Sequence, residues 1–197
     1  MTMRSDSEPG LTRTQRARQA DIVDAAIAIL DREGFAAASV ERIAAEAGTT
    51  KSTVLYHFKT KEAIYEAVVV TLFQAGAAYM TERIMAADSR PDKLHAYLSS
   101  NLSFIAEHAA HVNAVHRIQE NAGPSGDGSD AVTPLAHLLA SGQETGEFGS
   151  HFDPEVMALA IRAIVDGASF HFTAHPGLDV PHYVDEAIQL FDRATAP

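Results

Sequence analysis

Cysteine is absent from the 197 residues. That excludes a disulfide framework and any thiolate metal centre. Long apolar runs are scarce as well: the most apolar stretch, Ala67 to Met80, is flanked by Glu66 and Glu82 and is shorter than a membrane span. Basic residues are few, 15 Lys and Arg against 26 Asp and Glu, and the formal charge of −11 taken alone argues against a nucleic-acid partner. Catalytic signatures are missing too. There is no His-Glu-x-x-His, no Gly-rich phosphate loop and no carboxylate pair in a plausible cleft. Gly167-Ala168-Ser169-Phe170-His171 begins like a nucleophile elbow but lacks the closing glycine and falls in mid-helix. Asp127-Gly128-Ser129-Asp130 offers too few ligands for calcium. No stretch alternates with period two, so no strand is expected. The expectation is an all-α, non-enzymatic, cytoplasmic protein with no cofactor and no membrane partner, and 46% hydrophobic residues suffice for a core.

Helical pattern is present nearly everywhere. A first helix is expected from about Thr14 to Glu33, with Ile22, Ala26, Ile29 and Leu30 on one face and Gly34 as its stop. Ser39 can cap a short helix whose Val40, Ile43, Ala44 and Ala47 share a face, and Gly48 ends it. Thr49 or Thr50 can cap a second short helix to about Phe58, with Val54 and Phe58 inward. Its other face carries Thr50, Lys51, Ser52, Thr53, Tyr56 and His57, all donors, acceptors or aromatic surfaces. Thr60 can cap a long helix from Lys61 to about Ala87, with Glu62 in its favourable first turn. Further helices are expected over about Asp92 to His108, Ala110 to Asn121, Pro134 to Thr145, Asp153 to Ala174 and Pro181 to Ala194, with a turn-rich loop from Gly123 to Thr133. Residues 1–12 read as a disordered polar arm, 13–60 as one unit and 61–197 as another.

Two short helices about a glycine turn follow the plan of a helix-turn-helix DNA reader. The charge distribution agrees locally. Residues 1–65 hold nine basic and nine acidic side chains, whereas residues 66–197 hold six and seventeen. Between Gly48 and Lys61 there are three lysines and no acid, and between Arg13 and Arg18 three arginines and no acid. Phosphate contact needs such a local cluster, not a basic total.

The run Ala47-Gly48-Thr49-Thr50-Lys51-Ser52-Thr53-Val54-Leu55-Tyr56-His57-Phe58-Lys59-Thr60-Lys61-Glu62 closely resembles the signature of the TetR family of transcriptional regulators. The resemblance covers roughly Thr14 to Val70, including Arg32-Glu33-Gly34-Phe35. Leu55 departs from it: the family usually has an aromatic there, which touches DNA, and leucine keeps only the apolar contact. A competing class, a small-molecule or metal-binding protein without DNA binding, rests on that departure. The resemblance implies double-stranded operator DNA as partner, a homodimer, and a small-molecule effector that shifts the long helix and releases a repressor. Arg16, Arg18, Ser39, Arg42 and the lysines Lys51, Lys59 and Lys61 are the candidates for phosphates. Thr50, Lys51, Thr53 and Tyr56 are the candidates for base edges or their flanks, and Thr49, Ser52 and His57 complete the DNA-binding set.

Subunit pairing through the last two long helices is also implied, with Ala163, Gly167 and Phe170 from one and Val184, Ala187, Ile188 and Phe191 from the other. Gly142-Gln143-Glu144-Thr145-Gly146-Glu147-Phe148 followed by Asp153-Pro154-Glu155 is similar to such C-terminal domains. Candidate effector-lining residues are Phe73, Ala77, Met80, Ile84, Tyr97, Asn101, Ile105, His116 and Ile161. Asn101 stands out because it interrupts the stripe Leu94, Leu98, Leu102, Ile105 and must find a polar partner. Two histidine pairs, His108/His111 and His171/His175, have helical spacing, but two imidazoles without a third ligand do not make a metal site.

Overall fold

A computed structural model describes residues 12–122 and 131–197. Among them the regular structure is nine α-helices and one 3-10 turn. The expected arm, apart from Thr12, and most of the expected loop at 123–133 lie outside the described residues.

Caps set the N-terminal boundaries. Helix α1 (Arg13–Glu33) starts in a capping box in which the Thr12 hydroxyl accepts from Gln15 N while Gln15 Oε1 accepts from Thr12 N. The helix therefore begins at Arg13 and ends at Gly34, whose φ of 83° favours glycine. After the 3-10 turn Phe35–Ala37, Ser39 caps α2 (Val40–Glu46), Thr50 caps α3 (Lys51–His57) and Thr60 caps α4 (Lys61–Ala86). Gly48, at φ 60°, makes the turn between α2 and α3. Helix α4 is roughly 39 Å long at 1.5 Å per residue. Ser89 caps α5 (Arg90–Glu107), and α6 (Ala109–Ala122) follows almost without a break. Helix α7 (Val132–Thr145) begins two residues before the expected Pro134 and closes at Gly146 in the left-handed region. Asp153 caps α8 (Pro154–Ala174) and Asp179 caps α9 (Val180–Thr195), each with a proline in the first turn.

Three apolar clusters hold these helices. The first joins Ile22, Ile29 and Leu30 of α1 with Ile43 of α2, Val54 of α3 and Ile64 and Val68 of α4. Val112, Val115 and Ile118 of α6 complete it. This core therefore runs across residues 60 and 61 and includes a helix from well beyond them. Inside it, Tyr65 Oη donates to the Ala38 carbonyl at 3.0 Å, which fastens α4 to the segment leading into α2. The second cluster packs Leu94 and Leu98 of α5 against Leu135, Leu139, Ile161, Val165 and Phe191. The third gathers Leu102, Ala168, Phe172, Val184 and Ala187. Ile105 of α5 touches all three.

Helices α4 and α8 are each long and apolar enough to cross a membrane by length and composition, with a mean hydropathy of 1.3 over an 18-residue window. Within these two helices Ile64, Val68, Ile161 and Val165 are core residues of the fold.

The α7 end shows how tightly the second cluster is fitted. The Gly142 carbonyl accepts from Glu147 N and Phe148 N, folding the Phe148 ring back over the helix. A Cβ at position 142 would lie 2.2 Å from Phe148 Cδ2. Gly142→Ala is expected to destabilise the chain by about 1–3 kcal/mol through overpacking, measurable as a lower urea midpoint at unchanged slope.

Candidate nucleic-acid interface

Helix α3 is split lengthwise by its surroundings. Val54 is fully buried and Phe58 nearly so, so the inner side is locked to the first cluster. Lys51, Ser52 and Tyr56 face outward, with the Tyr56 ring 63% exposed. Thr53, Leu55 and His57 lie half-buried between. The Tyr56 ring is thus an amphipathic surface available for contact.

Local contacts pre-set this face. The Thr50 hydroxyl caps α3 by accepting from Thr53 N and lies 2.9 Å from both Ser52 Oγ and Thr53 Oγ1. Lys59 Nζ donates to the Tyr56 carbonyl at 3.1 Å and sits 5.5 Å from the Tyr56 ring centre, while His57 meets that ring edge-on. Lys61 is half-buried over the rings of Phe35 and Tyr65, at 5.0 and 5.1 Å. It acts as a cation–π brace at the start of α4. Thr49 is half-buried and donates its N–H to the Ala44 carbonyl, closing the turn.

Acidic partners occupy several of the expected phosphate binders. Lys51 Nζ reaches Glu41 Oε1 at 2.5 Å. Arg42 pairs with Glu33 at 2.8 Å, and Arg32 bridges Glu33 and Glu46, each at 3.0 Å. These contacts hold the Glu41 carboxyl below its ordinary range, chiefly through the Lys51 hydrogen bond. Glu33 is lowered first by Arg42 and then by Arg32, and Glu46 by Arg32, while both arginines are raised. Arg18 pairs with Asp21 on its own helix. Arg16 is exposed and has no ion pair among the described residues, and Ser39 is the α2 cap. Sequence reasoning missed Glu41, Glu33 and Glu46, because cross-helix pairs have no spacing signature. The Tyr56–Lys59 pair, by contrast, has helical spacing.

The expected effector-lining residues are only partly brought together. Tyr97 and Ile105 of α5 and Ile161 of α8 meet in the α5–α8 packing, where Ile161 is fully buried. Asn101 is buried and donates to its own helix at the Tyr97 carbonyl, 2.8 Å away. Phe73 and Ala77 of α4 are exposed, and Met80 and Ile84 are half-buried. His116 of α6 is buried, stacks on Phe170 at 3.9 Å and lies 3.1 Å from Ser169 Oγ. The Ser169 proton already serves the Asp166 carbonyl, so His116 Nε2–H donates. Burial lowers its pKa, which keeps the ring neutral. Of the paired histidines, His108 Nδ1 donates to the Phe104 carbonyl, His111 Nε2 to the Val68 carbonyl and His175 Nδ1 to the His171 carbonyl.

The expected pairing surface needs correction in α9. Val184, Ala187 and Phe191 belong to the subunit's own core, at 8%, 6% and 4% exposure, and Ile188 packs beside them. Their helical stripe packs inward on α5, which leaves Leu190 as the large apolar side chain on the outside. In α8, by contrast, Ala163, Gly167 and Phe170 are exposed. They continue a stripe begun by Val156, Leu159 and Ala160.

Residues 22–68 match the family model of bacterial regulatory proteins, tetR family. The A-factor receptor protein of Streptomyces griseus is 29% identical over 162 residues, which is 79% of this chain and 55% of that protein. The chain thus matches about half the length of that curated relative. The ketosteroid transcriptional regulator KstR2 of Mycobacterium tuberculosis shares the fold with a TM-score of 0.75 at 16% identity, over 95% of this chain and 98% of its own. AibR, solved with isovaleryl coenzyme A and operator DNA, does so with a TM-score of 0.72 at 17% identity, over 88% and 97%.

Glu41 holds Lys51, so a phosphate contact by Lys51 would have to displace that carboxylate. Glu41→Gln is expected to tighten binding to a generic duplex at low salt, with the gain fading as salt rises. Equal affinity of variant and parent in filter binding would show that Lys51 never reaches a phosphate.

Proposed function

We propose, from the premise that this chain belongs to the TetR family of bacterial transcriptional regulators, that it is a cytoplasmic homodimeric repressor which a small molecule releases from operator DNA. The observation that carries this reading is α3, anchored by Val54 and Phe58 and presenting Lys51 and Tyr56 to solvent with Thr53 half-buried beside them. Such a helix fits a major groove, which is wide enough to admit it. Thr50, Lys51, Thr53 and Tyr56 read base edges or their flanks, and Leu55 supplies an apolar contact suited to a thymine methyl. Arg16, Arg18, Arg42 and Lys59 grip phosphates, Arg18 and Arg42 by exchanging carboxylate partners for them.

One recognition helix covers only a few base pairs, so two copies about one helical turn apart, roughly 34–36 Å, are needed for useful specificity. The α8 stripe supports that pairing. Val156 (64% exposed), Leu159 (56%) and Phe170 (54%) flank the small residues Ala160, Ala163 and Gly167, which allow a partner helix close approach. A contiguous apolar stripe of this kind marks an association surface. Effector response is supported by the relatives, one named as the receptor of A-factor and one solved with an acyl coenzyme A and DNA. A coupling of about 1–3 kcal/mol between effector and operator would change occupancy roughly 5–150-fold.

Lys51→Ala and Tyr56→Ala are each expected to weaken gel-shift binding to the chain's own promoter region with the helical circular dichroism intact. Unchanged affinity in both variants would reject α3 as the reader. In the parent, log K is expected to fall by about 0.9 per phosphate contact against log salt. Leu159→Glu combined with Phe170→Glu is expected to give a monomer in sedimentation and to abolish operator binding. A persistent dimer would move the interface elsewhere.

A further inference from the structure

A recess of about 390 Å3 opens where the DNA-reading helices meet the rest of the chain. Asp31 of α1 and Asn113 of α6 form one wall, and Phe172, His175 and Leu178 from the end of α8 and the turn beyond form the other. It adjoins a second recess of about 500 Å3, sharing Ala106 and Val180 with it.

The hydrogen-bonding character of this space is one-sided. Asn113 Nδ2 donates to Asp31 Oδ1 at 2.7 Å. The Thr173 hydroxyl proton goes to the Ser169 and Phe170 carbonyls, and His175 Nδ1–H goes to the His171 carbonyl. What remains is almost entirely acceptor: the second Asp31 oxygen, Asn113 Oδ1, the Thr173 lone pairs and His175 Nε2. Charge has the same bias. The two recesses are lined by three carboxylates, Asp31, Glu107 and Asp185, and by no lysine or arginine. None of the three has an ion-pair partner among the described residues. The remaining walls are apolar, with Ala106, Ala110, Phe172, Leu178 and Val180.

We propose that this recess takes an organic ammonium ion with an aromatic or branched aliphatic body, and that this ligand is the effector. The ammonium group supplies the donors and the positive charge that the walls lack, and the body covers Phe172 and Leu178. A bare metal ion does not fit, because among the described residues no three His, Cys, Asp or Glu side chains converge to hold one. An anionic ligand would face carboxylates with no cation to offset them. The occupant bridges α1, which carries the DNA reader's core, and the α8–α9 turn, so its binding bears directly on how the reader sits. This proposal rests on the effector-responsive reading above.

Calorimetry on the full chain, without DNA, tests the site with three probes that share a phenyl body. These are 2-phenylethylammonium, neutral 2-phenylethanol and anionic 3-phenylpropanoate. The ammonium is expected to bind at least about tenfold more tightly than the alcohol, as a charge-assisted hydrogen bond requires. Asp31→Asn, which still accepts from Asn113, is expected to remove that preference. Val180→Trp, which fills the shared wall, is expected to abolish binding of both, with circular dichroism confirming the fold. Equal affinity for all three probes, or ammonium binding untouched by both substitutions, overturns the proposal. A gel shift on the promoter region, run with and without the ammonium, separates the two readings. A chain that binds the ammonium but never DNA keeps the site and loses the regulator. A chain that binds DNA yet ignores the ammonium keeps the regulator and loses the site. Binding of both with unchanged DNA affinity overturns the effector role.

Discussion

Packing of α6 into the core formed by α1 and α4 is the constraint on which the rest of this structure depends. Without Val112, Val115 and Ile118, the short helices α2 and α3 would rest on a core too small to hold them, since each is only seven residues long. Two polar contacts fix its register. His111 donates to the Val68 carbonyl of α4 at 2.7 Å, and Asn113 donates to Asp31 of α1. Burial lowers the His111 pKa, so the ring stays neutral and its bond carries no charge penalty. The α2–α3 unit is therefore not an appendage hinged on α4 alone. It is seated on two helices of the following part, and a displacement of either reaches α3 through close-packed side chains.

The cations near α3 are not a loose positive cloud: Lys51, Arg42 and Arg32 each have a carboxylate within 3.0 Å. Exposed pairs of this kind add little stability. In the proposed DNA-binding reading their consequence is selective: a phosphate would have to displace a carboxylate, a backbone grip alone would gain less than from free lysines, and contacts through Thr53 and Tyr56 would carry a larger share of the difference between operator and generic duplex.

Much of this was legible in the chain because caps and glycines punctuate it locally. Ser39 and Thr60 cap where expected, Thr50 is the one of two expected threonines that caps α3, and Gly34 and Gly48 turn where positive φ is needed. Boundaries slipped where the signal was ambiguous: Thr12 rather than Thr14 opens α1, and α7 starts ahead of Pro134. The α9 stripe Val184, Ala187, Phe191 was readable as an apolar face, but periodicity does not say whether such a face meets its own subunit or another. The effector-lining set scattered for a similar reason. Phe73, Ile161 and His116 share apolar or aromatic character, yet packing sends them to solvent, to the α5–α8 core and to a stack on Phe170 respectively.

The His116–Phe170 stack joins the two halves of the functional reading. Phe170 belongs to the exposed α8 stripe, His116 to α6, and the rings are nearly parallel, at 7°. A partner helix lying on α8 would cover Phe170 and hold its rotamer, and the stack would pass that restraint to α6. Helix α6 in turn braces α1 through Asn113 and Asp31, the residues that also wall the acceptor-lined recess. In the proposed reading, subunit pairing, effector occupancy and the pose of α3 would thus act on one helix. That shared element is the physical requirement for coupling between sites, since a ligand shifts an equilibrium only through contacts that differ between its states.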